Sequence, residues 1–345
     1  MMISALKRVL PTSAKRRMKQ SKVVHRLYRD GRGLAARPLF MNIELTTHCN
    51  LSCRMCSHDL LPPEDLGHMP FDRFQRIVDQ AEAFPGIVFL LFGLGEPLLY
   101  PRLPAAVDYV HHRFPKAPIG LSTNAHFLRG DMAEAVLSCD KVTISLNAGS
   151  PETYRLLHGS DHYEKVTDNI ASFLELRSRS PFYREDKKPF VSLCFLETER
   201  TLCEQDNFRR RWEPLLGDGG EIYVKRLVNW GGAVDVRALR SKGGDTPSRY
   251  PCIYLWNSLS VDIHGNVYPC MQCYGRRSSS ALRIGNVGDQ TLAGLYRSDF
   301  LVEARRLHLA DRYSQIEDCR ECDIYRLHHN VWFRLPLPLS GRRWL

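Results

Sequence analysis

The chain has 345 residues, 43% of them hydrophobic, which suffices for a core of about 200 residues plus a smaller module. No apolar stretch reaches membrane-spanning length, no secretory signal with a cleavage site is evident, and eleven cysteines clustered at metal-ligand spacing point to a reducing cytoplasm rather than a disulfide framework. The net charge of +10 lies wholly in residues 1–37, where eleven Lys or Arg face only Asp30; the remainder carries 37 charges of each sign.

In that basic N-terminal extension, Leu6, Val9, Leu10, Val23, Val24, Leu27 and Tyr28 interleave with the cations in a loosely helical pattern. Such a segment suits peripheral contact with an anionic membrane, a phosphorylated substrate or nucleic acid, and equally a solvated arm packed on the body.

A strand-like run, Phe40–Leu45, leads into Cys49, Cys53 and Cys56 at CxxxCxxC spacing. Three soft thiolates within eight residues favour zinc or an iron–sulfur cluster, and a tetrahedral centre with only three protein ligands keeps one position open for chemistry. His48 and His58 flank the triplet, so ligand type alone also allows a closed Cys3His zinc site.

Three more strand candidates follow: Ile87–Phe92, leading into Gly93-Leu94-Gly95-Glu96-Pro97; Ile119–Asn124; and Lys141–Asn147. Short apolar strands alternating with amphipathic stretches indicate parallel β/α units, whose strand ends carry the site.

In this order the motifs resemble those of the radical S-adenosylmethionine (SAM) enzymes, which carry CxxxCxxC after the first barrel strand, then a Gly-Gly-Glu-Pro turn and a Thr-Asn-Gly segment. The resemblance implies that Cys49, Cys53 and Cys56 hold three irons of a [4Fe-4S] cluster whose fourth iron binds SAM. It also implies that the Gly95-Glu96-Pro97 turn meets the ligand's ammonium group through backbone carbonyls, since a glycine turn admits close approach. Ser122, Asn124, Ser145 and Asn147 are able to hydrogen-bond the ribose or carboxylate, or to serve as ordinary strand-end caps. Met55 stands where the family usually has an aromatic residue against adenine, Leu94 replaces the first glycine of the turn, and Ala125 replaces the glycine after Thr-Asn.

The distal half holds Cys252, Cys270, Cys273, Cys319 and Cys322, with a hairpin pattern through Gly265 leading into Cys270. Paired cysteines and a hairpin also make a zinc ribbon. The spacing resembles the C-terminal SPASM/twitch auxiliary-cluster domain of radical enzymes, which implies one closed cluster, a [4Fe-4S] centre, on Cys252, Cys270, Cys319 and Cys322. Cys273 is then left over as a further ligand, a buried thiol or a hydrogen-atom donor facing substrate. Cys139 and Cys194 read as buried thiols.

The expected fold class is α/β: a partial (β/α)6 TIM-like barrel plus a small C-terminal β-hairpin/helix iron–sulfur domain. The expected boundaries are 1–37 for the extension, 38–240 for the core, 250–330 for the auxiliary domain and 331–345 for a tail, with Ser241–Ser248 as a Gly, Pro and Ser-rich linker. The resemblance implies a 5′-deoxyadenosyl radical that abstracts hydrogen from an unactivated C–H bond, with flavodoxin or ferredoxin as electron donor. Two-electron dehydrogenation of a sugar or aminocyclitol is favoured, because the single-cluster domain resembles that of the inosamine dehydrogenase of aminoglycoside biosynthesis. The alternatives are modification of a peptide or protein, as in sulfatase maturases and ribosomal-peptide enzymes, epimerisation with Cys273 as donor, and a zinc-stapled basic protein that binds nucleic acid.

Overall fold

The computed structural model describes residues 37–240, 249, 251–277 and 279–324. The basic arm up to residue 36, the linker 241–248 and the tail 331–345 lie outside the described residues. Among the described residues, no helix is long and apolar enough to cross a membrane.

Six strands build the first half: β1 (Phe40–Ile43), β2 (Val88–Leu91), β3 (Ile119–Thr123), β4 (Lys141–Asn147), β5 (Phe190–Glu197) and β6 (Gly220–Arg226). They pair in parallel in sequence order. Parallel neighbours require crossovers, here supplied by α1 (Phe71–Gln80), α2 (Leu103–Arg113), α3 (Gly130–Leu137), α4 (Pro151–His158), α5 (Tyr163–Arg179), α6 (Pro181–Asp186) and α7 (Gln205–Leu216).

Side chains alternate across each strand, and the two faces differ in kind. Met41, Ile43, Phe89, Leu91, Leu121, Val142, Ile144, Val191, Leu193 and Phe195 join the helices in one apolar core. α5 meets that core through Val166, Ile170, Phe173 and Leu174, at the three- and four-residue steps of a single helical face. Burying each such side chain stabilises the fold by about 1.5–3 kcal/mol.

The second half does not form a separate sheet. β7 (Ser258–Val261) pairs in parallel with β1, on the side away from β2, then returns antiparallel as β8 (Asn266–Tyr268) and β9 (Gly285–Asn286). One sheet thus runs β6-β5-β4-β3-β2-β1-β7-β8-β9. The β7–β8 turn is fixed by Asp262, whose Oδ1 accepts the His264 and Asn266 amides at 2.9 Å each, and by Gly265 at φ +86°, a left-handed conformation that favours glycine. The expected hairpin is therefore present, and it continues the barrel sheet on β1.

Candidate active site and auxiliary cysteine pocket

The cysteine loop leaves β1 through Thr46 and Thr47. The Thr47 hydroxyl donates to Asp65 O at 2.8 Å and accepts the Gly67 amide at 2.8 Å, which ties the loop's entry to the following segment. Cys49, Cys53 and Cys56 are each partly exposed. Burial pushes the Cys49 thiol up to about 12 and Cys56 up to about 11, and raises Cys53 with help from its two neighbouring cysteines. A metal centre bound by these thiols as thiolates would therefore displace their protons. His58 donates through Nε2 to Thr47 O at 2.7 Å, with Nδ1 beside Asp59 at 3.4 Å, so both ring nitrogens are engaged away from a Cys3His set.

Cys53 has a close partner that the sequence did not mark. His158 Nδ1 stands 3.1 Å from Cys53 Sγ, while its Nε2 lies 3.2 Å from Leu146 O and 3.4 Å from Asn147 Nδ2. The helix ends place it there: Ser150 caps the start of α4 by accepting the Thr153 amide, Pro151 occupies its first turn, and Gly159 at φ +66° stops it directly after His158.

The glycine turn packs against the loop from the β2 side. A Cβ on Gly95 would stand 2.3 Å from Thr46 O and 2.7 Å from His48 O, so only glycine fits, and the Glu96 amide donates to His48 O at 2.9 Å. Glu96 Oε1 accepts the Thr123 hydroxyl at 2.6 Å and the Leu98 amide at 3.1 Å, and Oε2 accepts the Asn124 amide at 2.7 Å. Burial nevertheless pushes this carboxyl up to about 7. Leu94 lies in the core, and its amide donates to Glu44 Oε1 at 3.0 Å.

At the end of β3, Asn124 Nδ2 donates to Asn50 Oδ1 inside the cysteine loop at 2.9 Å. Ala125 adopts φ +62°, the left-handed geometry that suits the family's glycine. Ser122 and Ser145 are half-buried on the sheet face opposite the helices. Asn147 is buried at φ +62° with Oδ1 unpartnered, and Asn50 Nδ2 is likewise buried and unpartnered. Two orphaned amide atoms, one inside the cysteine loop and one at the β4 end, fit a ligand rich in polar groups. Met55 is half-buried, and its carbonyl accepts the Trp230 indole N–H at 2.9 Å.

Trp230 belongs to a loop that joins the two cysteine regions. Trp230, Gly231 and Gly232 follow one another at φ +50°, +66° and +87°. The preceding Asn229 donates to Glu321 O at 2.6 Å and exchanges hydrogen bonds with Asp323, on either side of Cys322.

All five distal cysteines line one enclosed pocket, together with Gln272, Arg249 and His308. Cys273 is 2% exposed, its amide donates to Cys270 O at 3.2 Å, and its thiol is hydrogen-bonded with that of Cys270. The structure thus gathers Cys273 with the other four distal cysteines. Among the described residues, no three His, Cys, Asp or Glu side chains are placed to hold a single metal ion. The donor set itself, three thiols in one loop and five in one pocket, suits clusters with several irons.

A polar stripe on the face opposite the helices also escaped sequence reasoning. Ser122, Thr143, Ser192 and Glu221 occupy one row across β3 to β6, and Ser192 donates to Glu221 at 3.0 Å. Cys194 stands two residues along on the same face, hydrogen-bonded with Lys225 and close to Lys141. The signal was the strand alternation, masked in β5 because Phe190 to Leu196 is apolar almost throughout.

Comparison with known proteins agrees with this geometry. The model of the radical SAM superfamily matches residues 43–182, and that of an iron–sulfur cluster-binding domain, SPASM, matches residues 252–323. A tungsten-containing aldehyde ferredoxin oxidoreductase cofactor-modifying protein of Pyrococcus furiosus is 36% identical over 111 residues, 31% of this chain and 30% of that relative. The chain spans less than half the length of the curated relatives it matches. BtrN in complex with AdoMet and 2-DOIA superposes with a TM-score of 0.58 at 16% identity, covering 84% of this chain and 94% of that one. Streptococcus suis SuiB bound to precursor peptide SuiA gives 0.58 at 16% identity, covering 81% and 69%. At these identities the structural likeness is one of fold. With both cysteine sites in order along one sheet, residues 43–182 are a domain of the radical SAM superfamily and residues 252–323 a SPASM iron–sulfur cluster-binding domain, which together imply [4Fe-4S] clusters and S-adenosylmethionine as cofactors.

Proposed function

We propose that this enzyme oxidises a hydroxyl-bearing carbon of a sugar or aminocyclitol-like substrate by two electrons. The observation that carries the reading is the enclosed pocket of Cys252, Cys270, Cys273, Cys319 and Cys322, which has thiols enough to ligate every iron of a four-iron cluster. When bound, the cluster on Cys49, Cys53 and Cys56 supplies reductive cleavage of SAM and thereby a hydrogen-abstracting 5′-deoxyadenosyl radical, and the auxiliary cluster supplies an electron acceptor.

The chain's own residues do the binding. Gly95, Glu96, Pro97, Ser122, Asn124, Ser145, Asn147 and Met55 form the proposed SAM contacts around the cysteine loop. The half-buried Thr143 and Glu221 of the polar row offer a hydroxyl and a carboxylate suited to a hydroxyl-rich substrate. Placing Cys273 in the auxiliary pocket supports a role at that cluster over hydrogen donation to substrate.

The test uses anaerobic, reduced holoenzyme with SAM and a panel of aminocyclitols, sugars and peptides. Substrate-dependent 5′-deoxyadenosine and a ketone product without solvent deuterium are expected. One deuterium fixed at the abstracted carbon in deuterium oxide marks an epimerase. Turnover confined to peptides marks a peptide-modifying enzyme, and colourless protein with stoichiometric zinc removes radical chemistry altogether.

A further inference from the structure

His308 lines the five-cysteine pocket without entering the ligand count. It sits near the end of the helix Asp299–Leu309, is 1% exposed, and shares the cavity wall with the cysteines. The Cys252 amide donates to His308 Nδ1 at 3.2 Å. A ring nitrogen that accepts a hydrogen bond carries no hydrogen of its own, so the ring's hydrogen is on Nε2. That N–H is buried and has no hydrogen-bond partner among the described residues. Native folds rarely leave a buried donor unmade, because its desolvation costs about 1–3 kcal/mol. The group that fills a pocket of five thiols, a cluster rich in sulfide and thiolate, is an acceptor of the right kind. Because the ring is anchored on the backbone of Cys252, its position is tied to that of a cluster cysteine.

We propose that His308 Nε2–H donates a hydrogen bond to a sulfur of the auxiliary cluster and thereby raises that cluster's reduction potential. A donor aimed at cluster sulfur stabilises the added negative charge of the reduced state more than it stabilises the oxidised state. The inference rests on the reading that the distal cysteines hold an iron–sulfur cluster.

EPR-monitored potentiometry of anaerobic holoenzyme, with iron and sulfide analysis, tests it in wild type, His308→Phe and His308→Gln. His308→Phe is expected to keep wild-type iron and sulfide while the midpoint of the auxiliary signal moves lower. His308→Gln, whose amide restores a donor, is expected to fall between the two, and the SAM-binding cluster should hold its midpoint in all three. Wild-type protein labelled with 15N-histidine gives a check independent of folding: pulsed EPR of the reduced auxiliary cluster should show one weakly coupled histidine nitrogen. An unchanged midpoint with full iron, or no coupled histidine nitrogen, overturns the proposal. Loss of iron from His308→Phe, or strong nitrogen coupling, makes His308 a ligand and also overturns it. Wild-type protein with the SAM-cluster signal but no auxiliary signal sinks the underlying reading instead.

Discussion

Arg277 grips Glu44 through two hydrogen bonds, Nη1 to Oε2 at 2.9 Å and Nη2 to Oε1 at 3.1 Å, with both side chains closed to solvent. Glu44 follows β1 at the entry to the first cysteine loop, and Arg277 follows Cys273, so a buried ion pair joins the two cysteine regions. Burial tends to raise the Glu44 carboxyl, and Arg277 opposes that rise. Removing the arginine strands Glu44 and leaves Asp65, whose Oδ2 lies 3.8 Å from Arg277 Nε, with only the His264 ring beside its Oδ1 at 3.0 Å. Removing the glutamate charge leaves Arg277 near Asp65. Arg277→Met should therefore cost about 3–5 kcal/mol of stability, Glu44→Gln clearly less, and the Glu44→Leu/Arg277→Met double variant should recover part of the loss. Denaturant unfolding checks the ranking; equal losses for the two single variants would contradict it.

Gly95→Ala should abolish the first cluster and spare the second. The atoms that a Cβ would meet at 2.3 and 2.7 Å are backbone carbonyl oxygens of Thr46 and His48, which cannot swing aside as a side chain does. The cysteine loop must move instead. Iron should fall from about eight to about four per chain while the auxiliary EPR signal persists. A variant that retains full iron and SAM cleavage would show the loop to be more yielding than its packing implies.

Glu96 makes stability depend on pH with a defined sign. Burial raises its folded carboxyl from 4.5 to about 7, so the folded state holds the proton more tightly than the unfolded state. The stabilisation is complete below the unfolded value and is lost as pH rises through about 7. Its full size is about 3 kcal/mol, of which roughly 1–1.5 kcal/mol disappears between pH 6 and 8. Unfolding free energies of wild type should fall over that window, whereas Glu96→Gln should lack this component. Parallel profiles for the two proteins would rule the assignment out.

What the sequence disclosed were residues whose chemistry demands a type at a spacing. Cys49, Cys53 and Cys56, the close-packed Gly95, and the hairpin turn at Gly265 were all legible for that reason. Ala125 was legible as a departure from a glycine, but only its φ of +62° shows what the departure costs, since a left-handed L-residue carries about 1–2 kcal/mol of strain. The fifth thiol could be counted but not placed, because its location depends on the turn from Cys270 to Cys273. His158 and His308 were silent: a lone histidine on a helix carries no periodic signal, and their partners Cys53 and Cys252 lie 105 and 56 residues away. Glu44 and Arg277, 233 residues apart, meet only because β7 pairs with β1.

Ser57 and Gly275 give the closest test of how the two cluster regions fit. A Cβ on Gly275 would stand 2.5 Å from Ser57 Cβ and 2.6 Å from its Oγ, and Ser57 is fully buried directly after Cys56. Gly275 itself lies two residues beyond Cys273, so this contact, like those of Trp230 with Met55 and Arg277 with Glu44, packs one cysteine region against the other. Rotating the hydroxyl clears Oγ but leaves the Cβ clash, so Gly275→Ala has to push the regions apart or strain the Cys56 turn, at about 1–3 kcal/mol by the usual cost of overpacking. Ser57→Gly removes the obstructing Cβ, at the expense of a freer backbone in the unfolded chain. The double variant Ser57→Gly/Gly275→Ala should therefore regain most of the iron content and melting temperature lost by Gly275→Ala. Additive losses in the double variant would mean that the two residues do not meet.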